Sequence, residues 1–187
     1  AVAWDASSCV GRDRDRLWFK SEGERTSDAT EEFELQALYS RAVSPYWNLQ
    51  LGWRGDFQPA KERNWATVAF EGLAPGFIET EAALFLRSGA AAARVKIAYD
   101  LHLSQRTVLA PNLEVDWYSQ DDPANGLGSG LARSELGLRL RYEWHRQFAP
   151  YIGLNWHSLY GDTADLAKAE GDKSRDLQWV AGLRVWF

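Results

Sequence analysis

The stretch LQWVAGLRVWF, residues 177–187, places an apolar residue at every second position. The apolar set is Leu177, Trp179, Ala181, Leu183, Val185 and Phe187. A period of two is that of a β-strand with one apolar face. Because the alternation runs through to the terminal aromatic residue, we expect a last strand that is paired on both edges, with the first strand as its partner in a closed barrel.

Composition favours a membrane-embedded β-sheet. The 187 residues include ten Trp, seven Tyr and eight Phe, yet the mean hydropathy is only −0.41. No stretch approaches the roughly 18 apolar residues of a spanning helix. A transmembrane β-barrel gives this combination because lipid-facing and lumen-facing residues alternate. The single cysteine excludes an internal disulfide, and the net charge of −5 without a basic stripe argues against nucleic acid as a partner.

The same alternation extends back along the chain and predicts an all-β, transmembrane antiparallel barrel. We expect about ten strands, within a range of roughly eight to twelve, around a narrow polar lumen. No signal peptide is visible, so we expect a mature or trimmed chain in which residues 1–16 form an extra strand or a plug in the lumen or periplasm. The barrel itself would cover 17–187, with strands near 17–24, 32–43, 46–57, 65–74, 77–88, 93–104, 107–119, 132–146, 148–160 and 177–187.

The connections between the predicted strands are short on one side of the barrel and longer on the other, and this pattern predicts a protein of the bacterial outer membrane. Short turns on one side and longer loops on the other are typical of outer-membrane barrels, and Phe187 would lie on the short, periplasmic side. The connection at Gly89–Ala92 is short but falls on the loop side. A soluble lipocalin-like barrel or sandwich is the alternative, and it would direct its charges outward. The short turns are Ala42–Pro45, Ala74–Gly76, Ser104–Arg106 and Gln147–Pro150, and the longer loops are Phe57–Asn64, Gln120–Leu131 and Gly161–Asp176.

The alternation also assigns the lumen. We expect Leu138, Leu154 and Trp156 to face lipid, and Arg139, Arg141 and Asn155 to face inward. Charges at this density in a narrow lumen are expected to pair with one another, because unpaired buried charge is costly. The remaining inward basic residues are Lys20, Arg54, Arg87, Arg94, Lys96 and Arg184, and the inward acids are Glu22, Glu34, Glu71, Glu79, Glu81, Asp100, Glu114, Asp116, Glu135 and Glu143.

The three histidines fall on the predicted lumen face. These are His102, His145 and His157, and Asp100 and Glu143 each precede a histidine by two residues. Imidazole with carboxylate suits transition metals, so these five residues are candidate metal ligands. A histidine that only joins the lumen hydrogen-bond network is the alternative, and the sequence leaves it open.

Several motifs resemble a known family. WDASSCVGRDRDRLWFKSEGE (4–24) is similar to the opening of the barrel domain in the copper-resistance protein B family, with Gly11, Asp13, Leu17, Trp18, Lys20, Glu22, Gly23 and Glu24 fitting its pattern. YWNLQLGWR (46–54), APGFIETEA (74–82) and the GLRVWF ending also resemble that family. The terminal aromatic resembles the recognition signal for outer-membrane assembly as well.

The resemblance implies an outer-membrane protein of periplasmic copper handling. Copper ion would be what it binds, and outer-membrane lipid and a periplasmic copper-binding protein would be its partners. Relatives of this kind carry a Met- and His-rich N-terminal extension, whereas this chain has no Met. Cys9 is therefore its one soft ligand and the sixth candidate metal residue.

Three functions remain open from the sequence. The first is a barrel that binds copper and passes it across the outer membrane. The second is a barrel enzyme, such as a protease or lipid-modifying enzyme, with a site at the extracellular rim formed by His157 with Asp162 or Asp165. The third is a structural or adhesive barrel.

Overall fold

The computed structural model describes residues 2–25, 30–58, 62–145, 147–171 and 173–186. They form one antiparallel sheet of twelve strands with a short 3₁₀ turn at Pro123–Asn125 and one helix. The strands are β1 Val2–Gly11, β2 Asp15–Arg25, β3 Thr30–Ser44, β4 Trp47–Gln58, β5 Arg63–Ala74, β6 Ile78–Arg87, β7 Ala90–Ala98, β8 Leu101–His102, β9 Thr107–Tyr118, β10 Gly130–Tyr142, β11 Phe148–Leu159 and β12 Arg175–Val185, and the helix is α1 Gly161–Glu170.

The all-β antiparallel fold is confirmed, but the strand count is twelve, at the upper end of the predicted range. One added strand is β1, which lies within residues 1–16 and pairs with β2 along its whole length. The other arises where the predicted strand 93–104 is interrupted into β7 and β8. Both pieces pair with β9 in the same register, and the break at Tyr99 and Asp100 lies opposite Pro111, which has no N–H to donate to the ladder.

The inside and outside faces agree with the alternation. Along β5 every second residue from Arg63 to Ala69 is buried, and the residues between them are exposed. On β10 and β11, Leu138 and Trp156 are exposed on the outer face, whereas the Asn155 side chain bonds to Glu135 on the inner face. The assignment of faces is therefore confirmed on β5, β10 and β11.

The sheet is strongly curled. In a flat sheet β2 and β7 would lie about 24 Å apart, since neighbouring strands are about 4.8 Å apart. Yet the ammonium of Lys96 on β7 lies 2.9 Å from Glu22 on β2, and Lys20 on β2 lies 2.9 Å from Glu81 on β6. Inward side chains from distant strands therefore contact one another, and the inner face curves around a lumen.

The two edge strands are β1 and β12, and no pairing joins them within the described part of the chain. The prediction that the last strand pairs with the first is therefore not met there. β7 and β8 lie end to end along β9, so together they take the chain from one end of the sheet to the other once. Counting each such passage as one crossing, the twelve strands give eleven crossings. In an antiparallel meander an odd number of crossings makes the first and last strands run in the same direction, so they cannot pair as antiparallel neighbours. Phe187, the residue predicted to direct assembly, lies outside the described residues.

The connections lie at two ends of the sheet, which we call the turn end and the loop end. The turn end holds the connections after β1, β3, β5, β8 and β10, and the loop end holds those after β2, β4, β6, β9 and β11. One predicted loop differs, because α1 forms within it and closes at Gly171, whose φ of +92° suits a C-terminal cap. Among the described residues no helix is both long and apolar enough to cross a membrane.

Candidate lumen site

Arg94 is the centre of the lumen charge network. Its guanidinium, 2% exposed, lies 2.8 Å from Asp116, 3.1 Å from Glu114 and 3.3 Å from Glu34. β7 and β9 are paired, so Asp116 is the direct neighbour of Arg94. Glu34 comes from β3 and reaches it only because the sheet is curled. One arginine thus links two distant parts of the wall.

The network continues toward the loop end through Arg54. This side chain lies 2.8 Å from Glu34 and 2.7 Å from Asp56, and its guanidinium sits 4.3 Å from the centre of the Phe85 ring. Asp56 in turn lies 3.1 Å from Arg63. These contacts satisfy the buried charges pairwise, as the expected salt-bridged polar lumen requires.

A separate cluster lies toward the turn end. Lys20 lies 2.9 Å from Glu81 and 3.4 Å from Glu71. The amide of Gln50 donates to Glu71 across 2.7 Å. Gln50 is 1% exposed, so this half of the lumen is filled by side chains.

The other side of the lumen is open to solvent. The inward residues of β1, including Asp5 and Cys9, are exposed, as are Gln178 and Arg184 on β12. By contrast, inward residues of β3 to β7 such as Leu38 and Thr67 are buried. The side of the lumen that is open to solvent is therefore that of β1 and β12.

At the turn end an arginine occupies the two candidate acids, Asp100 and Glu143. The Arg141 guanidinium lies 2.7 Å from Asp100 and 3.5 Å from Glu143. His102 is exposed on β8, directly opposite Val108. Both candidate acids thus share one cation, Arg141, as their partner.

His145 is not in a strand, because β10 ends at Tyr142 instead of continuing to residue 146. The Trp144 N–H donates to the Tyr142 carbonyl, which turns the chain. His145 is exposed and forms an isolated bridge with Phe148, a residue of the outward series of β11. The expected lumen position of His145 is therefore not observed.

His157 lies between two acids in one row of the inner face. It is directly opposite Glu135 on β10 and Asp176 on β12. Asn155 donates to Glu135 across 2.8 Å, and Gln178 donates to Asp176 across 3.0 Å. Directly opposite residues have Cβ atoms about 4.5–5.5 Å apart, so both carboxylates are within rotamer reach of the imidazole. We call Glu135, His157 and Asp176 the outer row.

Cys9 faces the lumen from β1, opposite Trp18, and its thiol is free and exposed. The structure does not bring it together with the histidines into one site. Among the described residues, no three His, Cys, Asp or Glu side chains are positioned to hold a metal ion as they stand. The predicted ligands are therefore dispersed along the lumen and the turn end.

The rim acids considered for an enzyme lie on α1. Asp165 pairs with Lys168 of the same helix at 3.1 Å, and Asp162 lies against Gly128 of the β9–β10 loop. The acids in register with His157 are instead those of the outer row. Asp176 was missed because it precedes the apolar run from Leu177, although continuing the alternation back by one residue would have found it.

The curled antiparallel sheet, with its charged interior and apolar, aromatic exterior, has a porin-like fold. A solved structure of the NanC porin superposes with a TM-score of 0.63, covering 97% of this chain and 91% of that one at 13% identity. The similarity concerns the fold alone.

The family follows from sequence comparison. A family model described as copper resistance protein B precursor (CopB) matches residues 1–187. Copper resistance protein B of Escherichia coli is 50% identical over 99% of this chain and 63% of its own length. A copper resistance protein B homolog of Pseudomonas syringae pv. tomato is 46% identical over 100% of this chain and 64% of its own length. The chain belongs to the copper resistance protein B family, and it spans less than two thirds of the length of these relatives.

Proposed function

We propose that this chain acts in copper resistance as an outer-membrane β-barrel whose open lumen side binds copper weakly and passes it across the membrane. Family membership supports the copper role, and the apolar outer face supports lipid as its surroundings. The observation that carries the proposal is the outer row, since it sets an imidazole between two carboxylates on the open side. Nitrogen and oxygen ligands of this kind suit Cu(II).

Dispersed ligands favour passage over storage. An ion that crosses must leave each site that it enters, so several weak sites serve better than one tight one. Along the open side a copper ion would meet the outer row near the loop end and Asp5 and Cys9 on β1. At the turn end, His102 with Asp100 and Glu143 would form a second site once Arg141 is displaced. Cys9 would matter for Cu(I), which prefers sulfur ligands.

The test is copper binding by the folded chain in detergent or liposomes. Cu(II) added to the parent should give an electron paramagnetic resonance signal with nitrogen coupling, and His157→Ala should lose most of that coupling. His145→Ala is the matched control, because His145 lies in an exposed turn, and it should leave the signal unchanged. An unaltered signal in His157→Ala would overturn the outer row as the copper site. Flux of copper into liposomes then separates passage from binding alone.

The enzyme alternative has no comparable support. The family is described by copper resistance and not by a catalytic activity. Among the described residues, no observation favours a catalytic pair of His157 with Asp162 or Asp165 over the outer row as a metal site.

A further inference from the structure

The β9–β10 loop, residues 119–129, is folded into a compact unit. Asp122 and Leu127 exchange backbone hydrogen bonds at 2.7 and 3.1 Å. The Asn125 amide donates to the Asp122 carboxylate across 3.0 Å. Ser129 donates its N–H to the Asp121 carboxylate across 2.6 Å. We call residues 119–129 the lid.

Two residues of the lid, Asp122 and Leu127, hold it against the inner face of the sheet. The Asp122 carboxylate lies 3.4 Å from Arg87 on β6 and 3.6 Å from Arg63 on β5. Arg87 in turn lies over the Trp65 ring at 4.7 Å. Leu127 packs against the apolar cluster on the inner face that contains Trp65. One carboxylate and one apolar side chain thus hold the lid over the lumen.

The lid is also joined to the other long loop. The Gly128 N–H donates to the Thr163 hydroxyl at the start of α1 across 2.8 Å. Thr163 is 3% exposed. A Cβ on Gly128 would lie 2.5 Å from the Thr163 backbone nitrogen, so glycine is required for this approach. The lid and α1 together therefore cover the loop end above β5 to β10.

The ion pairs of the lid and of the lumen interior differ in their exposure to solvent. The pairs of Arg94 are short, with a guanidinium 2% exposed. The Arg87–Asp122 pair is longer, at 3.4 Å, and its side chains are 31% and 19% exposed. Partly exposed pairs contribute little and are weakened by salt, whereas breaking a buried pair is costly. Arg63, 7% exposed, lies 3.6 Å from Asp122 and keeps its closer contact with Asp56, at 3.1 Å, when Asp122 leaves. The lid can therefore release while the interior network keeps its own ion pairs.

We propose that the lid is a gate at the loop end of the lumen, held closed by Asp122 between Arg63 and Arg87. This inference rests on the proposed function, since it names how passage through that lumen is controlled. Release of Asp122 frees the lid from the wall and opens to the outside the loop end that the lid and α1 cover, above β5 to β10. The gate therefore determines the fraction of time for which the lumen is open at the loop end, whereas the lumen residues determine which ions bind.

The test is ionic conductance of the full chain in planar bilayers with potassium chloride, so that it does not depend on copper. Asp122→Asn should raise the open fraction about two- to fivefold, as expected for loss of a partly exposed ion pair. Asp121→Asn is the matched control, because its bond lies within the lid, and it should behave like the parent. An unchanged open fraction in a folded Asp122→Asn variant would overturn the gate, whereas loss of copper binding alone would not.

A second variant keeps the gate testable if Asp122→Asn fails to fold. Arg87→Cys and Asp122→Cys are combined with Cys9→Ser and joined by a short thiol-reactive linker. The unlinked protein should open more often than the parent, and the linked protein should stay closed. Equal conductance in the two states would contradict the proposal.

Discussion

Replacing Arg94 by methionine tests whether the buried charge network stabilises the barrel. Removal of one partner from a buried ion pair costs about 3–5 kcal/mol, because the remaining charge is left buried. Here each of the three acids keeps a second partner, since Asp116 retains Arg133 at 2.7 Å, Glu34 retains Arg54 at 2.8 Å and Glu114 retains Lys96 at 3.3 Å. We therefore expect a loss near the lower limit, about 3 kcal/mol.

The assay is equilibrium urea unfolding of the refolded chain, followed by tryptophan fluorescence. Arg41→Met is the matched control, because Arg41 lies 3.9 Å from Asp15 with side chains 64% and 50% exposed. Such a surface pair contributes about 0–1 kcal/mol. Adding Asp116→Asn to Arg94→Met should recover part of the loss, since the most buried of the three carboxylates is then neutral. Equal losses for Arg94→Met and Arg41→Met would refute the reasoning.

Two further predictions concern the wall and the turn end. Single cysteines in a cysteine-free background should react with a water-soluble thiol reagent at Asn155 but not at Leu154 in liposomes, and the reverse pattern would mean that the faces are inverted. Arg141→Gln should increase copper binding at the turn end, because Asp100 and Glu143 lose the cation that now occupies them. Copper titration checks this, and an increase that persists when His102→Ala is added would show that the imidazole is not a ligand.

The faces of the strands could be predicted because alternation is a local property of the sequence. β1 was harder, since VAWDASSCVG has small or polar residues on both faces. The lumen charges could be identified by the same alternation, but their partners could not. Lys96 finds Glu22 five crossings away, and only the curl of the sheet decides that contact.

The candidate site was predicted in part. His157 is on the lumen face as expected, and its acidic neighbours follow from the registers of β10 and β12, which the sequence does not reveal. The sequence placed His145 in the lumen because the alternation was extended beyond Tyr142, where the chain leaves the strand in a turn. The helix in the last loop was not foreseen, although the Ala, Leu, Lys and Glu of GDTADLAKAE are good helix formers.

For the proposed membrane-spanning barrel, the common direction of β1 and β12 has an energetic consequence. Each edge exposes a row of backbone N–H and C=O groups, and hydrocarbon offers them no hydrogen bonds, at several kcal/mol for each group. β1 alone is ten residues long, so bare edges would cost more than a domain's whole stability of about 5–15 kcal/mol. Because the two edges run the same way, a single extended strand antiparallel to both would satisfy them together and bring the number of crossings to an even value.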